Sequence, residues 1–190
     1  MTRSSNKLVF LDRDGTINQK LPPQQFLCSP AEIDYIPGVK EALGMLADAG
    51  FRFVVATCQA GISRGLMTME EVMDVNRVMD EDLKRARISI LGWYVCPHGD
   101  ADGCVCRKPK PGLMLRAAAE LGLSLPECWN VGDSPRDILM GLAVGCKRNI
   151  FVRSGYEPRP DELEAIRGVP VANTMADAVE LILQTSEHNS

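Results

Sequence analysis

The sequence has no apolar run approaching the roughly 20 residues needed to cross a bilayer. It lacks the apolar leader of a signal peptide, because MTRSSNKLVFLDRDG is too short and too charged at its start. A cytoplasmic protein with no membrane contact is expected. Positive charge is not in excess: 21 Lys and Arg face 25 Asp and Glu, a net charge of −4. That balance argues against nucleic acid as a partner, since polyanions select basic surfaces. Internal repeats and low-complexity linkers are absent too. The 190 residues suit one domain, expected to span 1–190 as a monomer.

What is present is a regular alternation. Short apolar runs at 7–12, 51–57, 88–96, 128–133, 149–153 and 169–172 read as strands. Amphipathic stretches between them read as helices at 38–50, 68–83, 111–122, from 134, at 160–167 and from about 174. Thr68 with Glu71 forms a capping box, and Ser134-Pro135 is an N-cap and first turn. Strand–helix alternation predicts an α/β fold: a Rossmann-like, doubly wound parallel sheet covered on both faces. Such sheets bind ligands beyond the carboxyl ends of their strands.

The polar residues fall at those ends. FLDRDGTIN (10–18) places Asp12 and Asp14 two residues apart where the first strand stops. Two adjacent carboxylates repel unless a cation or a shared proton intervenes, and Mg²⁺ with its preference for oxygen ligands suits them. A solvated turn is the plainer explanation of the same residues. VGDSPRD (131–137) adds Asp133 as a further carboxylate. Asp137, one helical turn on, serves either as an outer-shell group or as a charge at a helix N-terminus. Thr57 ends the second strand before CQAGISRG, where a hydroxyl and turn amides can hold phosphate oxygens. Arg107 and Lys108 supply a planar fork and a point charge for an anion.

Directly before that pair stands CPHGDADGCVC. Cys96, His98, Cys104 and Cys106 make a three-sulfur, one-nitrogen set suited to tetrahedral Zn²⁺. Cys-x-Cys is not the usual redox spacing, and the loop 99–103 has little to bury, so a metal is what it folds around. The set offers no open position, which makes the zinc structural. Its expected effect is to stiffen the loop that carries Arg107 and Lys108.

FLDRDGTIN, Thr57, Lys108 and VGDSPRD together resemble the four ordered motifs of the haloacid dehalogenase-like phosphatase superfamily, over roughly residues 7 to 155. The resemblance implies that Asp12 is the nucleophile and Asp14 the general acid and base, with a raised pKa. It implies that Asp12, Asp133 and the Asp14 backbone carbonyl hold Mg²⁺, and that Thr57 and Lys108 hold the phosphoryl oxygens. No large insertion follows either of the first two motifs, so no large cap domain is expected. Substrate recognition then falls to the short loops 18–36 and 58–65 and to the zinc loop 96–106.

The zinc loop looks like that of the branch containing heptose bisphosphate and histidinol-phosphate phosphatases. TCQAGISRG (57–65) is similar to the heptose enzymes' motif at Thr57, Gln59, Gly61, Ile62, Arg64 and Gly65. Cys58 and Ala60 depart from it, where that motif has Asn and Ser. The resemblance implies a small phosphorylated sugar as substrate, with Gln59, Arg64 and Arg107 in contact with it. A cationic substrate such as histidinol phosphate is the alternative, and it suits an arginine-lined pocket less well. A non-catalytic phosphate-binding module is disfavoured by the complete set Asp12, Asp14, Thr57, Lys108 and Asp133.

Overall fold

The computed structural model describes residues 7–22 and 25–187. Residues 1–6 of the charged N-terminal stretch and 23–24 of the loop 18–36 lie outside the described residues. Six parallel strands form one sheet: β1 (Leu8–Leu11), β2 (Arg52–Cys58), β3 (Ile90–Cys96), β4 (Trp129–Gly132), β5 (Arg148–Val152) and β6 (Val171–Ala172). The helices are α1 (Val39–Asp48), α2 (Met69–Arg85), α3 (Gly112–Leu121), α4 (Pro135–Ala143), α5 (Pro160–Glu164) and α6 (Met175–Glu187).

The side-chain alternation of β1 explains the layering. Val9 and Leu11 pack into one apolar cluster with Leu43 of α1, Met79 of α2 and Val179 of α6. Leu8 and Phe10 point the other way, into a cluster with Leu113 and Met114 of α3 and Met140 of α4. Both faces are therefore buried, and β1 is apolar at every position for that reason. Each fully buried Leu or Phe contributes roughly 1.5–3 kcal/mol of transfer free energy.

The helix boundaries follow local chemistry. Thr68 caps α2 through the Glu71 amide, and the Glu71 carboxylate returns to the Thr68 amide at 2.6 Å. Ser134 caps α4, and Asp137 closes the reciprocal bond to the Ser134 amide at 2.9 Å.

The strand order is β3-β2-β1-β4-β5-β6. The chain winds outward from β1 in one direction and, from β4, in the other. The crevice outside the carboxyl ends of β1 and β4 is the switch point where such sheets bind ligands. Asp12 follows β1 there and Asp133 follows β4, and the Asp12 amide donates to the Val131 carbonyl at 3.2 Å.

Candidate active site

A cavity of about 420 Å³ opens at this switch point. Asp12, Asp14, Thr57, Gln59, Arg64, Arg107, Lys108, Asp133 and Asp137 all line it, although they come from loops up to 125 residues apart. The first loop contributes Lys20 to Pro22 and Gln25 to Leu27, and Tyr156 and Arg136 close the rim. Among the described residues no large cap domain covers the opening.

Carboxylates of Asp12, Asp133 and Asp137 lie within 4.8 Å of one another. Three glycines permit this crowding. A Cβ on Gly15, whose φ is +91°, would fall 2.3 Å from Asp133 Oδ2, and one on Gly155 would fall 2.5 Å from it. A Cβ on Gly132 would meet Asp137. Ser154 donates to the Gly15 carbonyl at 2.6 Å and locks the two loops together.

Lys108 is 6% exposed. Its ammonium lies 2.6 Å from Asp12 Oδ1 and 2.5 Å from Asp137 Oδ1. Burial alone would push its pKa down, and the two carboxylates overrule that and hold it charged. Burial pushes Asp12 up to about 6, with Lys108 opposing and Asp137 and Asp14 adding to the rise. Burial and the same two neighbours, Asp12 and Asp137, push Asp133 up to about 8, against the pull of Lys20. Lys20 reaches Asp133 Oδ2 at 3.2 Å and rests 5.1 Å from the Tyr156 ring centroid. Asp133 Oδ1 is buried with no hydrogen-bond partner. Crowded oxygen ligands, raised acidities and one orphaned carboxylate oxygen are what a hard divalent cation would relieve. The donor set fits Mg²⁺.

Asp14 stands apart from that cluster. Arg13 donates to its Oδ1 and Oδ2, at 3.0 Å each, and Asn18 to Oδ1 at 3.0 Å. Gln59 donates to Oδ2 at 2.7 Å. Burial works to raise its pKa, but the Arg13 charge and these hydrogen bonds bring it below the usual carboxylate value. This corrects the expected raised pKa. The cause is Arg13, for which the sequence alone suggests no role. Its side chain is fully buried, and Asn76 of α2 holds its far end at 3.0 Å. The Asp14 carboxyl does stay off the three-carboxylate cluster, as expected. Asp137 caps α4 with Oδ2, the helix-terminus role left open for it, and pairs with Lys108 through Oδ1.

Gln59 and Arg107 take partners inside the protein. The Gln59 amide also donates to Thr57 Oγ1 at 2.8 Å, and the residue is 3% exposed. Arg107 places its fork on Asp100 at 2.8 and 3.2 Å while still lining the cavity. Arg136 also reaches Asp100, at 3.5 Å, and Arg64 adds its charge nearby. Lys20 and Arg136 were not foreseen. Nothing near either in sequence marks it, since Lys20 meets a carboxylate 113 residues away.

Cys96, His98, Cys104 and Cys106 also converge. Cys106 Sγ lies 3.2 Å from Cys96 Sγ, 3.6 Å from Cys104 Sγ and 3.3 Å from His98 Nδ1. Cys96 lies 3.8 Å from His98 Nδ1 and 3.9 Å from Cys104. A zinc tetrahedron with ordinary bond lengths has edges of roughly 3.5–3.8 Å. None of the four is in a disulfide. The Arg107 amide donates to Cys104 Sγ at 3.3 Å, so the cluster is tied directly to the start of the Arg107-Lys108 pair. The donor set and its spacing fit Zn²⁺.

Similarity to known proteins agrees with this geometry. The HAD-hydrolase-like family model matches residues 105–178. The D-glycero-beta-D-manno-heptose-1,7-bisphosphate 7-phosphatase of Neisseria meningitidis is 40% identical over 141 residues, 74% of each chain. That of Pseudomonas aeruginosa is 34% identical over 181 residues, 95% of this chain and 99% of its own. Among solved structures, the D,D-heptose 1,7-bisphosphate phosphatase of B. bronchiseptica, complexed with magnesium and phosphate, superimposes with a TM-score of 0.82. It is 32% identical and is matched over 94% of this chain and 99% of its own.

Proposed function

Because the chain belongs to the HAD-like phosphatases, in the branch of the heptose 1,7-bisphosphate 7-phosphatases, we propose that it hydrolyses the 7-phosphate of D-glycero-D-manno-heptose 1,7-bisphosphate. The observation that carries the substrate reading is the distribution of cations in one cavity. Lys108 is buried at the bottom against Asp12, and Arg64, Arg107 and Arg136 stand at the rim. Two separate cationic ends suit a sugar with two phosphates. They suit a substrate with a cationic tail, such as histidinol phosphate, poorly.

In this reading Asp12 attacks phosphorus as its P–O bond to the sugar breaks, leaving an aspartyl-phosphate. Asp14 must be protonated for this step, against neighbours that favour its ionised form, and it then gives that proton to the departing alkoxide. Water then attacks the aspartyl-phosphate, the bond to Asp12 breaks, and Asp14 takes the proton from water as inorganic phosphate leaves. Thr57 and Lys108 hold the phosphoryl oxygens. Asp12, Asp133 and the Asp14 carbonyl would hold Mg²⁺, which offsets repulsion between nucleophile and phosphate. Asp137 orients Lys108 from the cap of α4. Zn²⁺ on Cys96, His98, Cys104 and Cys106 would be structural, keeping Arg107 and Lys108 over the cavity.

Phosphate release with Mg²⁺ tests this, comparing heptose 1,7-bisphosphate, histidinol phosphate and a hexose bisphosphate, with Asp12→Asn as the blank. The expected preference for the heptose is about 100-fold or more in kcat/KM, roughly 2.7 kcal/mol. Preference for histidinol phosphate would overturn the charge argument.

A further inference from the structure

Gln59 sits between two functional groups. Its Nε2 is 2.7 Å from Asp14 Oδ2 and 2.8 Å from Thr57 Oγ1. An ionised carboxylate only accepts, so the amide must present its nitrogen, and both of its N–H groups are then engaged. The hydroxyl of Thr57 accepts one of them, which leaves its own O–H to donate elsewhere, and Thr57 lines the cavity. The other N–H completes the set of donors on Asp14. Oδ1 receives Arg13 and Asn18, and Oδ2 receives Arg13 and Gln59. Arg13 and Asn18 are anchored elsewhere as well, on Asn76 and on the Gln19 carbonyl. Among the described residues, Gln59 alone links Asp14 by a side-chain hydrogen bond to the end of the second strand, where the phosphate-holding group sits.

We propose that Gln59 is a positioning residue rather than a substrate contact: it holds the Asp14 carboxylate in place for water activation. This rests on the acid–base reading of Asp14. The observed arrangement, with Asp14 ionised and oriented by donors on both oxygens, is the charge state needed in the second half of the reaction, where one donor must yield its position to the attacking water. Losing Gln59 should therefore slow hydrolysis of the aspartyl-phosphate more than its formation. An aryl phosphate isolates this, because its leaving group departs without a proton.

The experiment is acid-quench kinetics with p-nitrophenyl [³²P]phosphate and Mg²⁺ on the wild type, Gln59→Met, Gln59→Glu and Asp14→Asn. Met keeps the length of the side chain, and Glu keeps its shape while removing the donor. Both should form phosphoenzyme within about 3-fold of the wild-type rate. Decay should slow by roughly 10- to 100-fold, at or below the lower end of what a placed base supplies. KM should stay within about 3-fold. Wild-type decay in Gln59→Glu, a rise in KM alone, or equal slowing of formation and decay would each overturn the positioning role. If decay is unchanged in Asp14→Asn, the acid–base reading fails, and the Gln59 proposal with it. Slowed decay in Asp14→Asn beside unchanged decay in both Gln59 variants would refute the Gln59 role alone.

Discussion

Two groups of side chains that could each hold a metal ion are equally compact and differ in almost everything else. In each, the ligand atoms lie within 4.8 Å of one another. The carboxylates of Asp12, Asp133 and Asp137 sit at the ends of buried strands and at a helix start, with Lys108 at their centre and acidities raised by burial. Cys96 ends β3 inside the second apolar cluster, and His98, Cys104 and Cys106 follow on a loop whose residues 100–103 are exposed. A rigid scaffold can hold like charges together against their repulsion, and a group held that way responds to a cation or a phosphate. A loop without a core depends on its ligands for its shape. One site is built by the fold, and the other builds part of the fold.

The contrast can be broken at either site. The largest effect is expected from Asp12→Asn, which should lower turnover by at least about 10⁴-fold, while circular dichroism stays unchanged. Loss of folding in that variant would mean that the carboxylate cluster is structural. Cys104→Ser should do the reverse. Zinc content measured by atomic emission should fall from one per chain toward zero. Thermal unfolding should drop by about 5–10 °C, roughly 2–3 kcal/mol for a chain of this size. Zinc chelation that abolished turnover without moving the unfolding temperature would erase the distinction.

A smaller effect sharpens the geometry. Gly155→Ala places a methyl 2.5 Å from Asp133 Oδ2 and 2.4 Å from the Gly15 Cα. It should raise the Mg²⁺ concentration for half-maximal rate by about 10-fold, a typical loss when a ligand's support is disturbed. Titration of Mg²⁺ against initial rate reads this directly, and an unchanged curve would remove Asp133 from the metal set.

The smallest effect is on stability against pH. Asp12 and Asp133 rise from 3.8 to about 6 and about 8, so the folded protein binds protons more tightly than the unfolded chain. Their contribution is fully present below about pH 4 and is lost as pH rises through 6 and 8. Asp14, held low, works in the opposite sense but only below its unfolded value. Without Mg²⁺ the unfolding temperature should therefore fall between pH 5 and pH 8. Added Mg²⁺, which binds the ionised groups, should restore more at pH 8 than at pH 5. Scanning calorimetry at the two values decides it.

Much of this was legible in advance. Runs with every position apolar, such as LVFL and FVVA, signal a sheet buried on both faces, and capping residues mark where α2 and α4 begin. Asp12, Thr57, Lys108 and Asp133 were legible because the parallel sheet brings strand ends to one edge. Arg13 was not. A guanidinium at a strand end is ordinarily solvated, and only the approach of Asn76 from α2 lets it be buried beside Asp14. Gln59 was implied as a substrate contact by the resemblance of TCQAGISRG, and its bond to Asp14, a partner 45 residues away, was not legible there.

By itself, then, the amino-acid order determined the alternation of elements, the strand-end placement of the polar residues and the four zinc-type ligands, because those depend on local periodicity and short spacing. Tertiary structure alone decided which charges share a partner. Lys108 meets Asp12 and Asp137, Lys20 meets Asp133, and Arg13 holds Asp14 ionised, each under a burial that multiplies the strength of the pairing. Those pairings set the acidities, because they depend on distances across the sheet that no stretch of sequence contains.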